Sequence, residues 1–275
     1  MSIRGMAALA AGCFLPLLAA APALADELPQ GDPGVQTDTG VPAVTVPDVM
    51  PEPAVETAPE PVKQVRAVKG ARAGKIVLRP GDRGDTVRQL QRRLHDGGFY
   101  FGQANGIYDE QTRYAVWGFH KSRGMVPRGE VGPKTWTALR RSKGLRPLVP
   151  QGGADRIEIS LTHQLLTIYR DNRPVLVTHV STGAEVQYCE KGHCGNAVTP
   201  VGDFRVTRKA PGWTTGLLGS MFNSLYFVGG IAMHGSTEVP LRPASHGCVR
   251  IPLSTSVRVF NMVKEGEPVY VRGQI

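Results

Sequence analysis

The chain has 275 residues, with 32 Lys and Arg against 23 Asp and Glu, a formal charge of +9, and four cysteines. That length allows one substantial core plus a small second domain. The basic balance points to polyanions as partners, but there is no nucleic-acid-binding motif and no regular basic–aromatic interleaving. Residues 1–25 read as a secretory signal: Arg4 is their sole charge, residues 7–21 are apolar, and Ala23-Leu24-Ala25 offers a small-residue cleavage site. Export further excludes nucleic acid as the partner, leaving cell-wall polymers and phospholipid head groups. Cys13 raises a lipoprotein alternative, but the apolar run continues past it through Phe14-Leu15-Pro16-Leu17-Leu18. No later segment approaches the roughly 18 apolar residues of a membrane span, so no transmembrane segment is expected in the 250 residues (275 − 25) that follow.

Residues 26–75 are rich in Pro, Val, Thr, Ala and Glu, lack apolar periodicity and read as an extended or disordered linker. Residues 26–60 hold eight acids and no Lys or Arg. From residue 61 onward the balance is therefore 31 basic (32 minus Arg4) to 15 acidic (23 − 8), a formal +16. Residues 76–142 carry the signals of three short helices. Val87, Leu90 and Leu94 follow Asp82-Arg83-Gly84-Asp85 at one-face spacing, and Asp109 stands ahead of Ala115, Val116 and Phe119. Gly132-Pro133 opens a third helix, with Trp136 and Leu139 expected inward. Asn105-Gly106 marks a tight turn between them. This segment, with Gly84, Leu90, Gln91, Leu94, Asn105-Gly106, Thr112, Ala115-Val116, Phe119 and Thr135, resembles a peptidoglycan-binding three-helix domain. The resemblance departs at Asn105, where Asp is usual, and at His120, where Gln is common.

From residue 154 the texture turns to strands. Arg156-Ile157-Glu158-Ile159-Ser160-Leu161 alternates with period two. Leu165-Leu166-Thr167-Ile168-Tyr169 does so less strictly, and Asp171-Asn172 turns into residues 175–180. More short strands fit residues 202–206, 231–233 and 268–271, with a helix after Pro252-Leu253-Ser254. Many short strands with Gly and Pro turns suggest a sandwich or barrel. Cys189 and Cys194 bracket a short Gly-containing loop. They can close a disulfide, join His193 in a zinc site lacking a fourth ligand, or stay free thiols. Trp213 and Tyr226 belong to an aromatic stretch that reads either as packing or as a flap over a cleft.

The most chemical stretch is Ser245-His246-Gly247-Cys248-Val249-Arg250, with Met233-His234-Gly235 upstream and Cys248 14 residues (248 − 234) beyond His234. In an oxidising compartment, Cys189 and Cys194 can pair and leave Cys248 as the free, reactive thiol. A thiolate is the nucleophile of acyl transfer and needs a neighbouring imidazole or positive field to form at neutral pH. Together with Gln164-Leu165-Leu166, Ser181-Thr182-Gly183 and Thr199-Pro200-Val201-Gly202, these residues resemble the L,D-transpeptidase (YkuD-like) catalytic domain. That resemblance implies Cys248 as nucleophile and His234 as base, with a backbone carbonyl at Gly235 orienting the imidazole. Further expectations are an oxyanion hole from the Gly247 and Cys248 amides, pocket shaping by His246, and completion of the motif by Ser245. Arg250 is expected to hold the Cys loop or to favour thiolate. The remaining histidines are taken as structural.

The expected architecture is thus multidomain: a small all-α three-helix peptidoglycan-binding domain before an all-β sandwich catalytic domain over residues 154–273. The resemblance implies a secreted, periplasmic or wall-associated monomer acting on peptidoglycan stem peptides and glycan without metal or cofactor. Cys248 would expel D-alanine from a tetrapeptide stem and pass the acyl group to a neighbouring amine. Carboxypeptidase action by water, attachment of a protein to the wall, or a non-catalytic wall-binding role remain the alternatives.

Overall fold

In the computed structural model the described residues are 76–141 and 144–275. The expected signal segment and the linker over 26–75 lie outside them. All described residues belong to one compact unit, and no helix among them is long and apolar enough to cross a membrane.

Three helices come first: α1 (Asp85–Asp96), α2 (Glu110–Ser122) and α3 (Pro133–Arg140). Helix α1 buries Val87, Leu90, Gln91 and Leu94 on the stripe that the spacing predicts. The Asp109 side chain accepts the Thr112 N–H at the start of α2, satisfying one of the orphan amides of a first turn. Pro133 occupies the first turn of α3, where no amide is missed. The buried amide of Gln91 ties the turn to the helices. Its Oε1 accepts from Gly106 N, and its Nε2 donates to Ile107 O and Thr112 Oγ1.

Eleven strands follow among the described residues: β1 (Arg156–Ser160), β2 (Leu165–Arg170), β3 (Arg173–His179), β4 (Gln187–Glu190), β5 (His193–Asn196), β6 (Gly202–Arg205), β7 (Arg208–Gly216), β8 (Gly219–Val228), β9 (Ile231–Ser236), β10 (Val249–Pro252) and β11 (Pro268–Arg272). Helix α4 (Leu253–Met262) leaves β10 directly, where the sequence predicts a helix. One sheet runs β3-β2-β1-β11-β6 and a second β10-β9-β8-β7, while β4 and β5 form a hairpin belonging to neither. A single core joins the two sheets: Ile157, Ile159, Leu166 and Ile168 from the first meet Leu225, Phe227, Met233, Val249 and Ile251 from the second, and Val259 of α4 joins the same core. The strand-rich domain is therefore not purely β; α4 contributes to its core.

Two features depart from the sequence expectation. The alternation in β1 predicts one solvent face, yet all five of its residues are buried. Arg156 and Glu158 form an ion pair at 2.8 Å with side chains 1% and 2% exposed. Their polar face is covered by the segment preceding β1, whose Leu148 and Val149 amides donate to the Glu158 carboxylate. Second, the helices do not form a self-contained core. Leu165 of β2 and Val177 of β3 join the cluster built from α1, α2 and α3, and Val177 N donates to Gly98 O.

The seam between helices and sheet holds buried polar groups. Lys121 Nζ of α2 lies 2.7 Å from His179 Nδ1 of β3 and donates to Gln164 O, while His179 Nε2 reaches Val239 O at 2.9 Å. A carbonyl only accepts, so Nε2 carries the proton and Nδ1 is free to take one from the lysine. Burial pushes the Lys121 ammonium down to about 7. Burial, and then the charge of Lys121, holds the His179 imidazole down to about 3; burial also holds His120 down to about 4. The unfolded chain protonates both imidazoles near 6.5, so between that pH and 4 it binds more protons than the folded one. Stability accordingly falls as pH falls through this window, by up to about 1.4 kcal/mol per pH unit for each imidazole. Calorimetry should show the unfolding temperature dropping between pH 6.5 and about 5, where carboxylates remain ionised. A flat profile there would contradict the buried, neutral state of both histidines.

Candidate active site

Strands β9 and β10 run side by side in parallel, pairing Met233 with Val249 and His234 with Arg250. Met233 and Val249 point into the shared core. Alternation then places Ala232, His234, Cys248 and Arg250 together on the opposite face. Two distant motifs thus become one site because two adjacent strands present the same parity. His234 is 5% exposed, and its Nδ1 lies 3.0 Å from Gly235 O. That carbonyl can only accept, so Nδ1 holds the proton and Nε2 is the bare, basic nitrogen. Gly235 itself is required by packing, since a Cβ there would lie 2.3 Å from Ser256 Oγ on α4.

Cys248 is the free cysteine among the described residues. The Ala232 N–H approaches its sulfur at 3.5 Å, and the thiol faces Met221 Sδ and Gly230 O, each at 3.9 Å. Burial pushes the thiol above its ordinary value, against the Ala232 amide and Arg250, which favour thiolate. Burial likewise lowers the His234 imidazole, opposed by its bond to Gly235 and reinforced by Arg250. The expected thiolate-favouring field of Arg250 is present, but desolvation outweighs it. Burial thus favours the uncharged form of each group, thiol and imidazole.

The loop leading to Cys248 is held by the other motif residues. Ser181 and Arg250 exchange backbone hydrogen bonds, and Thr182 O accepts from Ala244 N and Ser245 N. Thr199 Oγ1 accepts from Gly183 N and donates to Gly247 O. Ser245 Oγ donates to Cys248 O and accepts the Gly247 N–H. The Gly247 amide is therefore engaged within the loop in this structure. Gly247 is needed for its conformation: φ is +130°, and a Cβ would meet Val198 O at 2.9 Å.

The other candidates fall as follows. His246 Nε2 lies 3.1 Å from Glu190 Oε1, with its ring edge-on to Tyr188. Cys189 and Cys194 form a disulfide across β4 and β5, which removes both sulfurs from any zinc site. Trp213 is 53% exposed beside Phe222. Tyr226, on the site face beyond Ala232, is buried with the Arg208 guanidinium 3.9 Å over its ring. Neither bonds to Cys248, whereas Met221, from the same stretch, lies against its sulfur. Met221 and Glu190 carry no local sequence signal, because a hairpin's fold-back decides what each of them reaches.

The catalytic-domain family model, the L,D-transpeptidase catalytic domain YkuD, matches residues 154–271, and a peptidoglycan-binding domain model matches residues 83–139. The crystal structure of the L,D-transpeptidase (residues 123-326) from Xylanimonas cellulosilytica is 35% identical, with a TM-score of 0.67 over 71% of this chain and 97% of that one. The chain belongs to the L,D-transpeptidase family. Among curated proteins, the N-acetylmuramoyl-L-alanine amidase CwlM of Mycobacterium tuberculosis is 39% identical over 56 residues, 20% of this chain and 14% of the amidase. An uncharacterized protein from the bpoA1 3′ region of Kitasatospora aureofaciens is 36% identical over 75 residues, 26% of this chain and 64% of that protein. The chain thus matches only part of either curated relative.

Proposed function

We propose that this chain is an exported cysteine L,D-transpeptidase that cross-links peptidoglycan, with the helical segment as its wall-binding module. The observation that carries the reading is the shared sheet face of Cys248 and His234, with His234 Nδ1 fixed on Gly235 O and Nε2 left to act as base. In the first half-reaction the Cys248 thiol gives its proton to Nε2, sulfur adds to the donor carbonyl, and the C–N bond to D-alanine breaks as the imidazolium returns that proton to the leaving amine. In the second, a stem-peptide amine adds to the thioester, the C–S bond breaks, and the thiol is restored. The Cys248 amide is the donor proposed for the developing oxyanion.

Membership of the family supports the reaction class, and the matched peptidoglycan-binding segment supports the wall as partner. The signal-like residues 1–25 support an extracytoplasmic site of action. The test is to incubate the chain lacking residues 1–25 with disaccharide-tetrapeptide muropeptides and weigh the products. Cross-linked dimers with released D-alanine are expected. Tripeptide without dimers would move the reading to an L,D-carboxypeptidase, where water takes the place of the amine. No product from a folded protein would leave a non-catalytic wall-binding role.

A further inference from the structure

The hairpin β4–β5 has no core of its own. Of its eight strand residues only Tyr188 and Gly195 are half-buried, and the rest are exposed. A lone two-stranded hairpin is marginal in water. This one is fixed by other means: Lys191 and Gly192 make a two-residue turn with φ of +51° and +79°, and Cys189 is bonded to its direct cross-strand partner Cys194. At its base Ala197 N donates to Val186 O, and two residues further on Thr199 grips Gly247 O. The hairpin is thereby attached to the loop that carries Cys248.

What the hairpin delivers to that loop is a carboxylate. Glu190 Oε1 accepts from His246 Nε2 at 3.1 Å, and the Glu190 side chain remains 51% exposed, with its second oxygen not engaged in that bond. Between residues 239 and 250 the loop holds Arg242 and Arg250 and no acid. Against these two guanidinium groups, Glu190 is a carboxylate paired with one of the loop's own side chains, His246. The resting acceptor of a cross-linking reaction is an alkylammonium, whereas the competing acceptor, water, is neutral.

Resting on the L,D-transpeptidase reading above, we propose that Glu190, held by the Cys189–Cys194 hairpin and paired with His246, is a specificity-determining residue that recruits the ammonium form of the acceptor amine. The donor half-reaction does not need it, because His234 lies on β9 and Cys248 directly precedes β10, and neither has a hydrogen bond to Glu190. Loss of Glu190 therefore weakens aminolysis of the thioester while leaving its formation and its hydrolysis intact.

The experiment follows both half-reactions in the chain lacking residues 1–25, comparing wild type with Glu190→Gln, Glu190→Asp and the double variant Cys189→Ser/Cys194→Ser. Acyl-enzyme formation from a tetrapeptide muropeptide is timed by intact-protein mass spectrometry. The thioester is then captured by muropeptide amine or by hydroxylamine, which is mostly uncharged at neutral pH. Expected in Glu190→Gln is a roughly tenfold fall in kcat/KM for the muropeptide amine, carried by KM, with acylation and hydroxylamine capture unchanged. The product ratio should move from dimer towards tripeptide. The double serine variant should show the same split, and Glu190→Asp a partial recovery. Equal kcat/KM for the amine in Glu190→Gln and wild type overturns the proposal, as does a parallel loss of amine and hydroxylamine capture, which would mark a merely structural role. Absence of any acyl-enzyme in wild type would instead overturn the transpeptidase reading itself.

Discussion

Replacing Cys248 by Ala is expected to abolish the covalent acyl-enzyme and to lower turnover by at least about 10⁴-fold, since no neighbouring group can substitute for the attacking atom. The loss should occur without unfolding, because the Sγ makes only long contacts to Ala232 N, Met221 and Gly230. Replacing His234 by Ala should cost roughly 10²- to 10⁴-fold, the usual worth of a positioned base. The pH dependence separates the roles. Burial lowers the imidazole from 6.5 and raises the thiol from 9.0, and both shifts oppose a preformed thiolate–imidazolium pair. Acylation in the wild type should rise with pH through a value below 6.5, as His234 sheds its proton, and then stay level towards 9. With His234→Ala only spontaneously ionised thiol can react, and the rise should move above 9. Stopped-flow acylation by a carbapenem across this range would read both profiles. A His234→Ala profile superimposable on the wild type would remove His234 from the base role, and adduct on Cys248→Ala would point to another nucleophile.

The motifs that hold these two residues were legible because they are short and local, and the helices because periodicity and caps are local properties too. Asp109, Pro133 and the stripe Val87, Leu90, Leu94 stand where spacing places them. What sequence could not convey is which surface a distant segment covers. The period-two pattern of β1 has the same form whether its polar face meets water or, as here, the backbone of Leu148 and Val149. His179 looked like an isolated histidine, yet it lies between Lys121 of α2 and Val239 of the loop that leads towards Cys248. Glu190 lies 56 residues from His246, and only the folding of the disulfide-closed hairpin brings them within 3.1 Å. The hydrogen bond from the Gly247 amide to Ser245 Oγ is likewise one that no motif states.

The covered face of β1 yields the largest expected effect on stability. Glu158 accepts from Arg156 Nε and from the Leu148 and Val149 amides. Arg156 in turn donates to Gly153 O and Asn172 Oδ1 and lies 4.0 Å over the Tyr169 ring. Both side chains are almost wholly shielded from water. Glu158→Ala strands a guanidinium and two amides in the interior, and removal of one partner of a buried pair costs about 3–5 kcal/mol. That is a large part of a typical domain's net stability. Removing both charges is a different matter. Arg156→Met/Glu158→Leu restores apolar volume and eliminates the desolvation of two ions, so it should recover much of the loss despite leaving the two amides without their carboxylate. Urea unfolding of the wild type, Arg156→Met, Glu158→Leu and the double would measure the coupling directly. Coupling near zero would mean that Glu158 acts only as a cap for the incoming segment. A large favourable coupling would mean that the ion pair and the cap are one device, holding residues 144–155 against the sheet between the helices and the catalytic domain.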